Sequence, residues 1–451
     1  MKKSNLPMNA TAKAILKNLV NEDPEINFKI QAGIEKNRKG FGTIKLSHGD
    51  GKPVKKAEIR LTQTAHEFRF GCNSFMLGQF PESGQNALYE EKFRELFNLA
   101  VVPFYWSDLE PEDGKPRFGR DSAPVYRRPP PDMVLDFCEK YGITPKGHLL
   151  CWHSFVPQWL SREKGRSAER LERRIRELAE RYAERIKVWD VANEALQWDP
   201  EYSEPMPERH VETAFEMAGK YFPESTELLY NEGPFVSWAN YHGDYTPLYM
   251  LAKSLLNDGL PMKGLGLQYH MFAGLENMTD WSFNFTNQRY LYAIMDQYAK
   301  LGVPFNVSEI TVTARRDLGD GDEFQRLATE KLYRLWFSHP ASNGIVWWNL
   351  VDGTAAYSPM GSEEGENQYR GGLLNFDFSE KPAYKAVSNL LKKEWNTRLN
   401  VEYEDGAENK FHGFYGDYDA VVKTDNGTFR KKLKLAKDGV NKFNLETEYT
   451  L

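Results

Sequence analysis

The sequence predicts an α/β fold, a TIM (β/α)8 barrel that carries a small accessory β-module built from both ends of the chain. Between residues 68 and 352, eight short apolar runs alternate with helical segments, as the strands and helices of such a barrel do. No glycine-rich phosphate loop follows the first run, which disfavours a doubly wound open sheet. Near both ends, runs that alternate with period two flank turn-forming sequences, which indicates additional β-structure outside the barrel.

The N-terminal segment, residues 1–66, is predicted to contain a helix and a β-hairpin. Residues 10–24 place Ala, Ile, Leu and Val at helical spacing and then break at Pro24. Residues 41–71 alternate in period two around the turn sequence GDGKP, which predicts the hairpin.

The C-terminal segment, residues 399–451, is predicted to contain a second hairpin. Residues 414–436 form two alternating runs around the sequence DNG, a strong hairpin signal. Because an isolated hairpin is marginally stable, we expect this segment to pack with residues 1–66 as one sandwich-like module. The barrel itself is expected over residues 67–398.

The eight predicted barrel strands are apolar runs of strand length. They span residues 68–75, 98–104, 143–152, 187–195, 226–233, 264–272, 303–312 and 344–352. Two of the connecting segments, residues 167–185 and 287–302, have clear amphipathic helical spacing. Strands that alternate with helices favour a parallel sheet, and in a barrel the functional residues lie at the carboxyl ends of its strands.

Composition excludes several classes of protein. The 451 residues carry a net charge of -6, which argues against nucleic acid or an anionic membrane as the partner. The three cysteines, Cys72, Cys138 and Cys151, form no CxxC pair, so neither a disulfide framework nor a zinc site is predicted. Polar residues interrupt the first 20 residues, so we predict no signal peptide or membrane span and expect a cytoplasmic location. A chain from which a leader had been removed would look the same.

Polar and ionisable side chains gather at the ends of the predicted strands. They are His148, His153, Asn193, Glu194, Asn231, Glu232, Gln268, His270, Glu309 and Asp352. Each one alone has an ordinary structural explanation, but a rim that collects carboxylates, imidazoles and amides indicates a polar cleft. Two carboxylates on facing strands are sufficient for glycoside hydrolysis, with one protonating the leaving oxygen and the other attacking or activating water.

Other chemistries have weaker support in the sequence. Ser154 is not part of a GxSxG motif, and no HExxH motif occurs. His148 and His153 are expected to point to opposite faces, which disfavours a metal site with Glu194. We therefore predict no metal and no cofactor.

Five segments resemble glycoside hydrolase family 10, the retaining endo-β-1,4-xylanase family with a TIM-barrel fold. They are KGHLLCWHSFVPQW (146–159), VWDVANEA (188–195), LGLQYHMF (265–272), VSEITV (307–312) and LLNFDFSEKPAY (373–384). The similarity covers roughly residues 67–395. It implies cleavage of β-1,4-xylan or xylo-oligosaccharides, so an oligosaccharide or polysaccharide is the expected partner. The sequence predicts nothing about oligomeric state.

The resemblance also implies roles for individual residues. Glu194 would be the general acid/base and Glu309 the nucleophile. The remaining candidates would bind the sugar or hold these carboxylates: His148, Trp152, Asn193, Asn231, Gln268, His270 and Trp348. To act as an acid near neutral pH, Glu194 needs a raised pKa, which the low-dielectric cleft and the charge of Glu309 should provide.

The sequence departs from the family at several binding positions. The Glu-Asn-x-x-Lys grip expected after the second strand is missing from residues 101–111, where Phe104, Tyr105 and Trp106 stand. These aromatic residues either stack on a different sugar or pack under a rebuilt loop. Phe155, Tyr269 and Ala356 stand where the family has glutamine, serine and tryptophan. The resemblance therefore implies retained chemistry with altered recognition.

Three alternatives to xylan hydrolysis stay open from the sequence. The first is a retaining glycosidase acting on another β-glycoside, and the second is a transglycosylase that uses the same intermediate. The third is a non-catalytic carbohydrate-binding protein, which has no need of two opposed carboxylates. The acidic segment at residues 361–372 either closes one end of the cleft or is a solvated loop.

Overall fold

The structure is a computed structural model that describes residues 7–21, 23–161, 165–197 and 206–447. The chain forms an eight-stranded parallel barrel and, beside it, two antiparallel or mixed sheets from its two ends. The fold class predicted from the sequence is therefore confirmed.

The barrel is closed, with its strands hydrogen-bonded in the order β10, β3, β4, β5, β6, β7, β8, β9. The strands of the described chain are β1 Lys39–His48, β2 Lys56–His66, β3 Arg69–Asn73, β4 Leu99–Pro103, β5 Thr144–Cys151, β6 Val188–Asn193, β7 Glu227–Glu232, β8 Gly264–His270, β9 Phe305–Thr311, β10 Ser342–Trp347, β11 Arg398–Glu404, β12 Lys410–Phe414, β13 Gly416–Thr424, β14 Gly427–Leu435 and β15 Lys442–Thr447. Each of the eight predicted barrel strands corresponds to one of β3 to β10.

Helices connect the barrel strands and cover their outer faces. The α-helices of the described chain are α1 Ala10–Val20, α2 Pro24–Arg38, α3 Ser83–Leu96, α4 Trp106–Leu109, α5 Pro131–Tyr141, α6 Gln158–Ser161, α7 Ser167–Tyr182, α8 His210–Tyr221, α9 Pro247–Asn257, α10 Leu275–Phe285, α11 Gln288–Ala299, α12 Gly321–Ser338 and α13 Pro382–Asn389. The amphipathic segments at residues 167–185 and 287–302 contain α7 and α11, as their spacing predicts.

The barrel strands are buried on both faces, because side chains fill the interior and helices cover the exterior. All residues of β4, β6, β8 and β9 are buried. A polar residue in such a strand needs a partner inside the protein, since water does not reach it. Polar side chains are therefore concentrated where the strands end and the cleft begins.

The strands of the N- and C-terminal segments form a β-sandwich, whereas the N-terminal helix that was predicted to join this module packs its apolar residues against the barrel. One sheet has the order β12, β1, β15 and the other the order β11, β2, β13, β14. Ile44 and Leu46 of the first sheet share a core with Ile59, Leu61 and other apolar residues of the second. Burial between two sheets removes the inner face of each from water, which neither achieves alone.

The predicted N-terminal hairpin is wrong, whereas the C-terminal one is confirmed. β1 and β2 lie in different sheets and form no common ladder, although Ser47 and Pro53 make an isolated bridge at the turn. The alternating pattern fixes which face of each strand is buried, but it does not identify the partner strand. β13 and β14 pair antiparallel from Gly416 with Leu435 to Thr424 with Gly427.

A second N-terminal helix follows the predicted one. α1 ends at Val20, and Pro24 occupies the first turn of α2, whose cap is Asp23. Oδ1 of Asp23 accepts a hydrogen bond of 3.2 Å from the amide of Ile26. Proline fits the first turn of a helix because the amide it lacks would have no partner there. Pro24, which ends the first helical pattern in the sequence, thus also begins α2.

Within the described residues, no helix combines the length and the apolar character needed to cross a bilayer.

Candidate active site

Glu194 and Glu309 lie at the carboxyl ends of two barrel strands that are separated by two others. Glu194 follows β6 directly, and Glu309 lies near the end of β9. Their backbone φ angles are 52° and 51°, in the left-handed region that residues other than glycine seldom occupy. Such conformations persist where the surrounding structure enforces them, and they concentrate at functional sites.

Three amide side chains connect these two carboxylates in one hydrogen-bonded network. Gln268 donates from Nε2 to Oε1 of Glu194 over 2.7 Å. Asn231 donates from Nδ2 to Oε1 of Glu309 over 2.6 Å and to Oδ1 of Asn193 over 2.7 Å. Nε2 of Gln268 also lies 3.4 Å from the same oxygen of Asn193. Three predicted binding residues, Asn193, Asn231 and Gln268, therefore meet with the two carboxylates in one place.

Two histidines lie against Glu309. Nε2 of His270 is 3.3 Å from Oε2 of Glu309, and Nε2 of His148 is 3.9 Å from Oε1. Nδ1 of His148 lies 2.8 Å from Oδ2 of Asp190, whose Oδ1 lies 2.9 Å from Nζ of Lys146. This chain of contacts fixes the orientation of the His148 ring beside the carboxylate.

Asp190 is ionised in this buried network. Burial raises the pKa of Asp190, but Lys146 and His148 outweigh burial and hold the pKa below its usual range. Both the carboxylate and the ammonium of Lys146 are almost fully buried, so each needs the other.

Trp348 forms one wall of the site. Its ring centroid lies 5.8 Å from that of His148, 5.8 Å from that of His270 and 5.2 Å from that of Phe75. Trp152 lies further along the cleft, stacked on Phe155 at 5.3 Å. Trp348 thus borders the two histidines that lie against Glu309, and Trp152 belongs to an aromatic group with Phe155 and Tyr105.

The three aromatic residues after the second barrel strand have different environments. Phe104 is buried against Tyr182 and Trp189, and Trp106 packs against Trp159. Only Tyr105 adjoins the cleft, with its ring 5.5 Å from His148 and 6.1 Å from Trp152. Phe104 and Trp106 are therefore packing residues, which is the second of the two roles that the sequence left open for them.

The other departures from the family also separate into core and cleft. Tyr269 points away from the site and packs against Trp238 and Trp336, because neighbouring strand residues face opposite sides. Phe155 lies in the cleft, 4.8 Å from Tyr105 and 6.1 Å from the exposed ring of Tyr357. Tyr357 is thus an aromatic residue next to the position where the family tryptophan is absent.

The acidic segment at residues 361–372 does not lie wholly in solvent. Burial raises the pKa of Glu366, and the charges of His270 and Arg127 act in the opposite direction. Asn367 is buried and accepts a hydrogen bond of 2.8 Å from the amide of Ala355. The middle of this segment therefore borders the site, while Glu363 and Glu364 are exposed.

The electrostatic environment of Glu194 matches the expectation for an acid. Burial is the first cause that raises the pKa of Glu194 to about 8, and the negative charge of Glu309 is the second. The hydrogen bond from Gln268 opposes this shift without cancelling it. At neutral pH the carboxyl of Glu194 is therefore mostly protonated.

This raised pKa makes a prediction about stability. The folded-state pKa of about 8 exceeds the ordinary value of 4.5, so the stabilisation is fully present below about pH 4.5 and is lost as the pH rises to about 8. The glutamine in Glu194→Gln has no proton to lose, so the variant escapes this loss of stability. We expect the gain in free energy of unfolding from wild type to Glu194→Gln to be about 1–3 kcal/mol larger at pH 8 than at pH 4.5. Urea unfolding at both pH values measures this difference, and an equal effect at the two would contradict it.

Several residues of the site were missed by the sequence interpretation. Lys146 and Asp190 support His148, and their signal was a charge inside an otherwise apolar strand. Ser308 donates to Oδ1 of Asn231 over 2.6 Å, and a Cβ on Gly266 would lie 2.0 Å from the same oxygen. No local pattern distinguishes that serine or that glycine from ordinary strand residues.

The fold and the site together define a class of protein: a TIM barrel with two linked carboxylates at the carboxyl ends of its strands, one of them protonated. A sequence model described as "Glycosyl hydrolase family 10" matches residues 86–390. The chain belongs to this family.

The relatives of the chain include several xylanases of low identity. "Endo-1,4-beta-xylanase 2" of Arabidopsis thaliana is 25% identical over 400 residues, which cover 87% of this chain and 33% of that protein. "Beta-1,4-xylanase" of Dictyoglomus thermophilum is 28% identical over 251 residues, 51% of this chain and 66% of that enzyme. The chain thus spans about a third of the length of the first relative and about two thirds of the second.

Solved structures support the fold. Xylanase 10B from Thermotoga petrophila RKU-1, in complex with xylobiose, superposes with a TM-score of 0.56 at 20% identity. The superposition covers 73% of this chain and 95% of that chain. At this identity the likeness establishes the barrel architecture alone.

Proposed function

We propose that the protein is a retaining glycoside hydrolase that cleaves β-glycosidic bonds in β-1,4-xylan or xylo-oligosaccharides. The observation that carries the proposal is that the two carboxyl groups of the site, those of Glu194 and Glu309, have different environments. Glu194 has a pKa of about 8, while Glu309 receives a hydrogen bond from Asn231 and lies beside two imidazoles. A protonated Glu194 can act as the acid, and Glu309, oriented by these hydrogen-bonding groups, can act as the nucleophile.

In the first step, Glu309 attacks the anomeric carbon and Glu194 protonates the departing oxygen. The C–O bond to the leaving group breaks, and an ester bond forms between the sugar and Glu309. Nδ2 of Asn231 and Nε2 of His270 lie where they can position the attacking carboxylate. The hydrogen bonds restrict its rotation before substrate arrives, which reduces the reorganisation needed in the reaction.

In the second step, Glu194 acts as a base. Formation of the ester removes the negative charge of Glu309, which is one of the causes that raise the pKa of Glu194. The pKa of Glu194 then falls, and its carboxylate can accept a proton from the water that attacks the ester. Two displacements at one carbon restore the original β configuration.

The sugar would lie against the rings and amides around the carboxylates. We propose that Trp348 covers the sugar at the cleavage point, with Trp152 on the wall beyond it. Oδ1 of Asn193 accepts hydrogen bonds inside the network, and its side chain also hydrogen-bonds to Glu194, so one of the two amide hydrogens remains to donate to a sugar hydroxyl. His148 and Gln268 complete the proposed binding residues.

The test is hydrolysis of nitrophenyl β-glycosides (xyloside, xylobioside, glucoside, cellobioside and galactoside) together with soluble xylan. We expect cleavage of the xylobioside and of xylan, and we expect proton NMR of the first product to show the β anomer. Formation of the α anomer would refute retention. Cleavage of another glycoside alone would refute xylan and xylo-oligosaccharides as the substrate. The absence of cleavage on every substrate would favour a non-catalytic binding protein. Transfer to an added sugar in preference to water would identify a transglycosylase.

A further inference from the structure

Two consecutive arginines, Arg127 and Arg128, lie in the segment that follows the second barrel strand. They are 2% and 8% exposed. Glu309 and Trp348 in the same cleft are 6% and 7% exposed, so the accessible part of Arg128 is as large as that of the proposed site residues. A buried side chain at the wall of a cleft can still offer its end to a ligand.

Arg128 lies on the face of the tyrosine that adjoins the cleft. The carbon of its guanidinium is 3.6 Å from the centre of the Tyr105 ring and 5.4 Å from that of Phe155. Its Nε donates to Oδ2 of Asp108 over 2.8 Å, and its Nη1 donates to the carbonyl of Arg127 over 3.1 Å. Stacking fixes the plane of the guanidinium and so orients the hydrogens that remain.

Arg127 packs against the ring of Phe75, and not all of its hydrogen-bond donors have a partner among the described residues. Its Nη1 donates to Oδ1 of Asn349 over 2.7 Å and to the carbonyl of Thr354. Its Nε is buried and has no hydrogen-bond partner within the part of the chain that the structure describes. Asn349 follows Trp348 directly, so this guanidinium adjoins the wall of the proposed sugar site.

Two other buried arginines show the contrast. Nε and Nη2 of Arg38 donate to the carbonyls of Phe337, His339 and Ser342, and the same two nitrogens of Arg174 donate to three carbonyls. Those side chains connect one segment to another, each through three hydrogen bonds to backbone carbonyls. Within the described residues, Arg128 has one carboxylate at ion-pair distance, that of Asp108, and Arg127 has none.

Two adjacent positive charges with one paired carboxylate leave an excess of positive charge beside the cleft. Like charges raise each other's cost of burial, and burial without a counter-ion is unfavourable. Glu366 is another acid whose charge acts on Arg127, and burial raises the pKa of Glu366. An anion entering the cleft would compensate this charge.

We propose that Arg128, supported by Arg127, forms a subsite for an anionic group on the substrate, either the carboxylate of a uronic acid residue or a sulfate ester. This inference rests on the proposed function, because it specifies the sugar chain that the same cleft takes. A planar guanidinium pairs with a carboxylate or a sulfate through two parallel hydrogen bonds, which a neutral sugar cannot match. The substrate would thus be a decorated and acidic oligosaccharide.

The test compares three forms of one β-1,4-xylo-oligosaccharide: with a uronic acid branch, with the same branch as its methyl ester, and with a sulfate ester. The methyl ester has the shape of the uronate without its charge. We expect kcat/KM for the acid to exceed that for the ester about tenfold or more, and added salt to reduce the ratio. A higher value for the sulfated form than for the uronate would identify sulfate as the ligand.

Arg128→Gln is expected to bring the acid-to-ester ratio close to one, whereas Arg128→Lys, which keeps the charge without the fork, should retain part of it. Arg120→Gln is the matched control, because Arg120 lies in the same segment with 62% of its side chain exposed. We expect Arg120→Gln to leave the ratio unchanged. Equal rates for acid and ester in the wild type would overturn the inference, and that result needs no variant to fold.

Binding separates failure of the subsite from failure of the proposed function. Calorimetry with Glu309→Ala measures the affinity for the acid and for the ester without cleavage. Tighter binding of an anionic form supports the subsite even if the wild type cleaves nothing, which would refute the hydrolase alone. Equal binding of all three forms by a protein that cleaves neutral xylan would refute the subsite alone.

Discussion

Glu309→Ala is expected to lower kcat on nitrophenyl β-xylobioside by about 10^4-fold or more, because the covalent intermediate cannot form. The cavity left by the side chain lies on the face of the sugar opposite the leaving group. Azide can enter this cavity and attack in a single displacement, so we expect it to restore activity and to yield the α-glycosyl azide. Stopped assays with NMR of the product measure both the rate and the configuration.

Glu227→Ala is the control for this experiment. Glu227 begins β7, at the opposite end of the barrel, and pairs with Arg69 at 2.5 Å. Loss of this partly exposed ion pair should cost about 1 kcal/mol of stability or less and leave kcat unchanged. Activity retained in Glu309→Ala, or a β-glycosyl azide as its rescue product, would refute the assignment of the nucleophile.

Glu194→Ala is expected to separate substrates by their leaving groups. Protonation of the departing oxygen matters most when the leaving group is a poor one, so cleavage of xylan should fall about 10²–10⁴-fold. A dinitrophenyl glycoside needs no proton to depart, so its glycosyl-enzyme should form readily and then accumulate. Azide should release this intermediate as the β-glycosyl azide, the configuration opposite to that from Glu309→Ala.

The pH profile gives the second readout for Glu194. Because the acid has a pKa of about 8, kcat/KM of the wild type should decline as the pH rises through this value. On xylan, whose leaving group needs a proton, this alkaline decline should disappear from the residual activity of Glu194→Ala. An unchanged decline, or an equal loss of rate on good and poor leaving groups, would assign the acid to another residue.

The barrel could be predicted from the sequence because its signal is local and repeated. A strand buried on both faces is a short apolar run, and each of β3 to β10 is one. The N-terminal pair shows the limit of such reasoning. The alternation in β1 and β2 correctly identified both segments as sandwich strands with one buried face each. Their pairing, however, depends on β11 to β15, which lie more than 300 residues away.

The candidate site shows the same division. Glu194, Glu309 and the residues that surround them follow or end apolar strands, so the topology of a parallel barrel brings them to one rim. Lys146 and Asp190 carried a weaker signal, and Ser308 carried none. Glu366 belongs to a loop whose acidic composition is typical of a solvated surface, and only its position beside His270 connects it to the cleft.

By itself, the sequence determined the fold class and the barrel strands and pointed to Glu194 and Glu309 as candidate carboxylates, because period, chain order and residue type are local properties. The tertiary structure alone decided which aromatic residues face the cleft, and it brought Arg128 onto the ring of Tyr105, 23 positions earlier in the chain. The physical reason is that the burial of a side chain, its pKa and the compensation of its charge depend on the residues that surround it in space. Neighbours in space that are distant in the chain leave no pattern in a single sequence.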